Sequence, residues 1–267
     1  MRDQLKALFD EAAAEGLTEL DYAADGTPLV AEGESVCGAE LDEWPPLTDA
    51  ELSELAQTLS RPLLADVMEL LKYMSGFSVG GDEVGFPLYR DSPFEFFLPD
   101  GIILSEDGCG NHWLIEVNRD SGEWRHVWHV SHDPPVMIYQ CETLAEYAAA
   151  VLDRYRLERI QAGHRSKLDD VDDACMSVCG GNKRFPCAVD ARTSEDTIIA
   201  QFAENLPDDA WVVDLRNTSF GDGFDWRSLS DEVPVSRVQG ELIFGVRRRP
   251  GKPRKQGGGW LSKLFGR

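Results

Sequence analysis

The chain reads as an α+β protein: an antiparallel sheet flanked by helices, then a smaller C-terminal α/β extension and a disordered basic tail. Three observations predict this. Between residues 101 and 133, apolar and polar residues alternate with the period of two of a half-buried antiparallel strand. On either side lie stretches with apolar residues at helical spacing, each opened by a capping-box pattern. After residue 246 the composition turns to Lys, Arg, Gly and Pro, which suits a disordered segment.

The elements follow in order. Leu5, Leu8, Phe9 and Ala12 fall at helical spacing, and Gly16 suits a left-handed cap. Residues 17–47 are irregular and acidic, with Pro28, Pro45 and Pro46, and read as a strand pair or a wrapped loop. Thr48-Asp49-Ala50-Glu51 is a capping box, with Leu52, Leu55, Ala56 and Leu59 forming one apolar face behind it. Pro62 restarts the chain. Val67, Leu70, Leu71 and Met74 make a second face, which Gly76 can cap. Both helices are expected to pack on the tryptophan face of the sheet.

That face comes from two strands. Trp113, Ile115 and Val117 alternate with His112, Leu114 and Glu116; Trp124, His126 and Trp128 alternate with Arg125, Val127 and His129. A loop over 118–123 closes Val117 opposite Trp124. The uninterrupted register then sets Ile115 opposite His126, Trp113 opposite Trp128, Glu116 opposite Arg125 and His112 opposite His129. Glu116 and Arg125 contribute a few tenths to about 1 kcal/mol. A one-residue slip would reverse the faces.

Thr143-Leu144-Ala145-Glu146 is a second capping box. Leu144, Tyr147, Ala148, Val151, Leu152 and Tyr155 then form a broad stripe, with a charged continuation towards a boundary near Gly163. Beyond it, Cys187 to Val189 reads as a short strand. Ile198, Ile199, Phe202 and Leu206 suggest a helix stopped by Pro207. Residues 211–215 and 241–246 read as strands. The organisation expected is 1–44, N-terminal helix and acidic connector; 45–160, the main domain; 161–246, a small α/β region; 247–267, the tail.

The Asp107-Gly108-Cys109-Gly110-Asn111 turn, the tryptophan-bearing hairpin and His132-Asp133 resemble the SUKH superfamily. This is the family of fungal cell-wall-synthesis regulators and many bacterial toxin-immunity proteins. Upstream, Arg61-Pro62-Leu63-Leu64-Ala65-Asp66 leads to Met74-Ser75-Gly76-Phe77, similar to the family's N-terminal pattern; the helix after Thr143 resembles its closing helix. Leu64 stands where a second proline is frequent, Ser75 where asparagine is, and Glu116 where aspartate is. Cys109 sits between the two glycines. The resemblance covers residues 45–160 and implies a SUKH-like fold, with antitoxin immunity as the commonest bacterial role.

Composition narrows the function. No apolar run approaches the roughly 20 residues of a membrane span, and no signal-peptide pattern opens the chain, so a cytoplasmic, reduced-thiol protein without stable membrane insertion is expected. The net charge is −22. Residues 247–267 carry eight Lys/Arg and no acid, leaving 18 basic against 48 acidic side chains before them, a balance of −30. Such a surface repels nucleic acid and attracts cationic partners.

Motifs for chemistry are sparse. The chain has no G-x-S-x-G elbow and no phosphate-binding loop. Cys175, Cys179 and Cys187 lack the paired spacing and fourth ligand of a zinc site. His112 and His129 could meet across the hairpin, as an exposed patch more than a metal site. Cys109 with His112 offers a thiol and an imidazole but nothing to orient the base. No cofactor, metal or catalytic residue is assigned.

The sequence therefore predicts a non-enzymatic binding module. Its partner is a basic protein toxin occluded at its active site, or a regulatory protein if the chain is a scaffold of the cell-wall-regulator type. A cysteine- or metal-dependent enzyme is the remaining alternative. The expected partner-binding residues are Asp82, Glu83, Asp91, Asp100, Glu106, Asp107, Asn111, His112, His129 and Asp133. In the tail, Trp260, Leu261, Leu264 and Phe265 can line one face of a helical turn, suited to a membrane surface, a partner groove or the chain's own acidic body.

Overall fold

The computed structural model describes residues 1–15, 17, 21–22, 28–29, 40–58, 63–86, 98, 101–118, 121, 123–226, 236–238 and 241–247. Asp91, Asp100 and the tail residues Trp260, Leu261, Leu264 and Phe265 lie outside the described residues, as do Gly16 and Leu59.

The chain opens with α1 (Arg2–Glu15), β1 (Asp21–Tyr22), β2 (Pro28–Leu29), β3 (Leu41–Glu43), α2 (Asp49–Thr58) and α3 (Ala65–Leu71). Next come β4 (Gly76–Val79), β5 (Asp82–Gly85), β6 (Gly101–Glu106), β7 (His112–Val117), β8 (Trp124–His132) and β9 (Pro135–Cys141). Then follow α4 (Leu144–Asp153), α5 (Leu157–Gln161), α6 (Val171–Val178), a 3-10 turn (Gly181–Arg184), α7 (Ala188–Ala191) and α8 (Thr197–Glu204). The last are β10 (Trp211–Asp214), β11 (Gly223–Asp225), β12 (Ser236–Arg237) and β13 (Ile243–Val246). This is a mixed α/β chain in which the paired strands are antiparallel. Among the described residues no helix is long and apolar enough to cross a membrane.

The first capping box forms in full; the second keeps its Thr143 half, with the Glu146 carboxylate reaching one residue further back. Thr48 N–H donates to Glu51 Oε2 at 2.7 Å, and Glu51 N–H returns to Thr48 Oγ1 at 3.3 Å. Glu146 N–H donates to Thr143 Oγ1, while its carboxylate accepts the Glu142 N–H. The α4 stripe is buried from Leu144 to Tyr155 as its spacing predicts. On α2, Leu52 and Leu55 are buried, but Ala56 is exposed.

Gly76 does not cap α3. It begins β4, where a Cβ would sit 2.4 Å from the Val84 carbonyl and 2.6 Å from the Trp44 ring. The β4–β5 hairpin turns on Gly80 and Gly81, both at positive φ, as a two-residue loop of type I′ requires. Residues 187–189 do not form a strand either. Cys187 makes a single bridge to Trp211, and the chain then turns into α7.

The central sheet runs β11-β9-β8-β7-β6, and its inner register carries the main correction. Val117 pairs with Trp124 and Glu116 with Arg125, as expected. His126 then adopts φ 64 and drops out of the ladder as a bulge. From there Ile115 pairs with Val127, Leu114 with Trp128, Trp113 with His129 and His112 with Val130. The extra residue reverses which side later β8 side chains face. Trp128 therefore leaves the Trp113–Trp124 side.

The sheet is covered on both sides as a result. One side joins Ile115, Val117, Trp124 and Val127 to α1, α2, α3, α4 and β4 in one apolar cluster. The other joins Leu114, Trp128, Val130 and Tyr139 to Val213, Phe224 and Phe244 from β10, β11 and β13. β11 thus shares the sheet, and β10, β11 and β13 share a core, with the strands before them. Gly223 permits the β11–β9 pairing, since a Cβ there would sit 1.9 Å from the Met137 carbonyl.

Side chains of the 3-10 turn close the outer edge of β11. Asn182 donates from Nδ2 to the Asp225 carbonyl at 2.7 Å and accepts the Asp225 N–H at Oδ1 at 2.8 Å. Arg184 donates to the Gly223 carbonyl, and Gly180 N–H to the Asp225 carboxylate.

Candidate functional site

The predicted binding residues divide into three places. Glu106, Asp107, Asn111 and His112 come together at the β6–β7 turn. Gly108 and Gly110 sit at φ 72 and 90, which lets the chain fold tightly around Asp107. The Asp107 carboxylate accepts from Cys109 N–H at 2.8 Å, Asn111 N–H at 3.1 Å and Asn111 Nδ2 at 2.6 Å. Burial pushes its pKa up, but these hydrogen bonds outweigh burial and hold it below the usual range.

Asn111 also faces the neighbouring turn. Its Oδ1 accepts the His132 N–H at 3.1 Å, and Gly110 lies against the His132 ring. The β6–β7 and β8–β9 turns are thereby clasped at one end of the sheet. Glu106, Asp107, Cys109, His132 and Asp133 are exposed there. His112 is mostly covered, with Nδ1 3.7 Å from Glu106.

Asp82 and Glu83 lie elsewhere, on β5 of the separate β3-β4-β5 sheet. Arg154 holds Asp82 at 2.9 Å and Asp169 at 3.0 Å, so Asp82 belongs to a structural ion pair. Glu83 is exposed.

His129 lies inside the protein, 2% exposed, and does not meet His112. The bulge at His126 sets it opposite Trp113 instead, with ring centroids 4.6 Å apart. Its Nδ1 is 3.6 Å from Cys175 Sγ on α6. Burial lowers the imidazole to about 4, against the opposing charge of Asp107, and raises the Cys175 thiol to about 12. Both groups are neutral at pH 7, so the pair holds no thiolate for nucleophilic attack. Among the described residues, no group of three or more His, Cys, Asp or Glu side chains could hold a metal ion.

His129 gives a pH prediction. Its folded pKa lies below the ordinary histidine value, so the unfolded chain binds the proton more readily. The stability it confers is complete above about pH 6.5 and is lost as pH falls towards 4, by roughly 2–3 kcal/mol. Urea unfolding at pH 7, 5.5 and 4.5 measures this slope, which His129→Asn should flatten. An unchanged slope in the variant would assign the acid sensitivity elsewhere.

A second polar cluster occupies the other face. The left-handed bulge aims His126 between two carboxylates, with Nδ1 3.7 Å from Glu116 and Nε2 3.4 Å from Glu142. Arg237 from β12 forks onto Glu116, its Nη2 donating to Oε2 at 3.1 Å, and lies over the Phe244 ring. Tyr139 and Arg125 donate to Glu142 at 2.9 and 3.0 Å. Burial pushes the Glu116 pKa up, but His126 and Arg237 bring it below the ordinary value. Glu116 and Arg125 stand opposite in the ladder as expected, but the expected charge pair is replaced: Arg125 turns to Glu142 and Glu116 to His126 and Arg237. Glu142 and Arg237 were not legible, being distant in sequence and marked by no spacing.

Comparison with known proteins identifies no relative: no family model, no curated protein and no solved structure matches the chain.

Proposed function

We propose that the chain is a non-enzymatic binding protein of the SUKH kind, acting in toxin immunity by occluding a cationic partner's active site. The observation that carries this reading is the clasp of the β6–β7 and β8–β9 turns. Asp107 and Asn111 hold a tight exposed loop in place, so its acidic groups can meet a partner with little ordering cost. Glu106, Asp107 and Asp133 give the end of the sheet the sign that the net charge of −22 extends around them. Such a field speeds encounter with a basic surface and disfavours nucleic acid. The neutral His129–Cys175 pair supports a binding role over cysteine chemistry.

The test is capture from the native host at low and high salt, followed by rescue of cells expressing the captured protein. A basic toxin domain held at low salt, weakened at high salt and tenfold or more weaker for Glu106→Lys/Asp133→Lys is the expected result. Capture indifferent to salt and to both substitutions, or no rescue, would sink the reading.

A further inference from the structure

A small apolar cluster separate from the main core lies under α7 and α8. Its fully covered floor is largely alanine: Ala188, Ala191, Ala203 and Ala210, with Leu206, Val212 and Ile243. Ile199, Phe202 and Val238 are only partly buried over that floor. Exposed large hydrophobic side chains are few among the described residues, yet Val189 at 48% and Ile198 at 39% both sit on these two packed helices. Ile198 and Phe202 are one helical turn apart, so exposed apolar surface continues into the half-buried seam.

Charge frames this face. Residues 187–210 carry six acids against one arginine, and that arginine, Arg192, is paired with Asp208 at 2.8 Å. Glu195, Glu204 and Asp209 are exposed. The complementary segment is the chain's own C-terminus, with eight Lys/Arg, no acid, and Trp260, Leu261, Leu264 and Phe265 near its end.

The connection is short. β13 passes directly beneath α8: a Cβ on Gly245 would sit 2.7 Å from Leu206 and 3.3 Å from Phe202. Val246 ends the strand one residue later. The twelve residues 248–259, rich in Gly and Pro, have an end-to-end reach of roughly 20 Å. The eight-residue α8 is about 12 Å long.

We infer that residues 260–265 dock on the α8 face beside Ile198 and Phe202, held by apolar contact and by the basic linker against the acidic rim. Tethering makes this an intramolecular event at high effective concentration, so modest contacts suffice. The inference is independent of the clasp at the other turns. Its consequence is that the basic segment is held on the body and withheld from competing anions.

Hydrogen–deuterium exchange on the full chain tests it. In the wild type, peptides covering 198–204 and 260–265 should both be protected at low salt. Replacing Trp260, Leu261, Leu264 and Phe265 together by serine should speed exchange in 198–204 about tenfold, leaving 124–141 unchanged. Ile198→Asp should speed exchange in 260–265 by a similar factor, again with 124–141 as the control for folding. Unchanged exchange in 198–204 with the serine variant would overturn the inference. So would protection of 260–265 that arises only with anionic phosphatidylserine vesicles, which would assign the segment to a lipid surface.

Discussion

Trp128→Ala is expected to lower the unfolding free energy by about 3–5 kcal/mol, read as a shift in urea midpoint with little change in slope. Trp128 is fully buried and meets Tyr139 and Phe244 edge-on, at 5.4 and 6.1 Å between ring centroids. Removing it opens a cavity between β8 and the strands of residues 211–246. The indole N–H has no hydrogen-bond partner among the described residues, so Trp128→Phe discards an unsatisfied donor along with the volume. It should therefore cost much less than alanine. Trp113→Ala provides the contrast, because Trp113 is only partly buried and packs on the opposite side. Equal losses for Trp113→Ala and Trp128→Ala would contradict the bulge that separates them.

Glu116→Ala should cost about 3 kcal/mol, because it leaves Arg237 and His126 in a largely covered site without their carboxylate. Side-chain exposures of 14% and 16% for Glu116 and Arg237 leave some access to water, which keeps the expected loss near the lower end for buried pairs. Arg237→Ala should cost a similar amount, and the double variant less than the two together. Additive losses would mean that the fork does not couple β12 to β7. The pH dependence has a definite sign. Glu116 is depressed in the folded state, so its contribution is present above the ordinary carboxylate range and disappears as pH falls through its folded value. Glu116→Gln should remove that acid sensitivity and leave the histidine-dependent loss at higher pH.

Local rules carried much of the secondary structure. Thr48 with Glu51, and Thr143 with Glu146, announce helix starts through side chains three residues apart, and the hydrogen bonds form accordingly. Alternation located β7 and β8, and the loop closing Val117 on Trp124 was legible for the same reason. The bulge was not. His126 takes a left-handed conformation that glycine or asparagine would have signalled, at a cost of roughly 1 kcal/mol or more. What holds it there is tertiary: Glu142 accepts its N–H through the backbone carbonyl, and two carboxylates flank its ring. One missed residue moved Trp128 to the other face and His129 into the interior. It also dissolved the expected His112–His129 pair.

The candidate site was legible where its residues are neighbours in sequence. Asp107, Gly108, Gly110 and Asn111 announce a tight polar turn, and that turn is the clasp. The β9–β11 pairing was invisible because Gly223 lies more than eighty positions from its partner Ile138, and its three-residue strand is too short to show a period. Asp82 was misplaced because an acid near a turn in sequence says nothing of Arg154, which claims it from α4's end.

The Asn182–Asp225 contact bears on how the protein behaves at high concentration. A strand at the end of a sheet presents unpaired N–H and C=O groups that any extended segment of another molecule can recruit. The primary amide of Asn182 spends one donor and one acceptor on Asp225, a one-residue imitation of the next strand. Growth of the sheet at this edge is terminated from within the chain, so crowded copies are denied a strand to zip onto there.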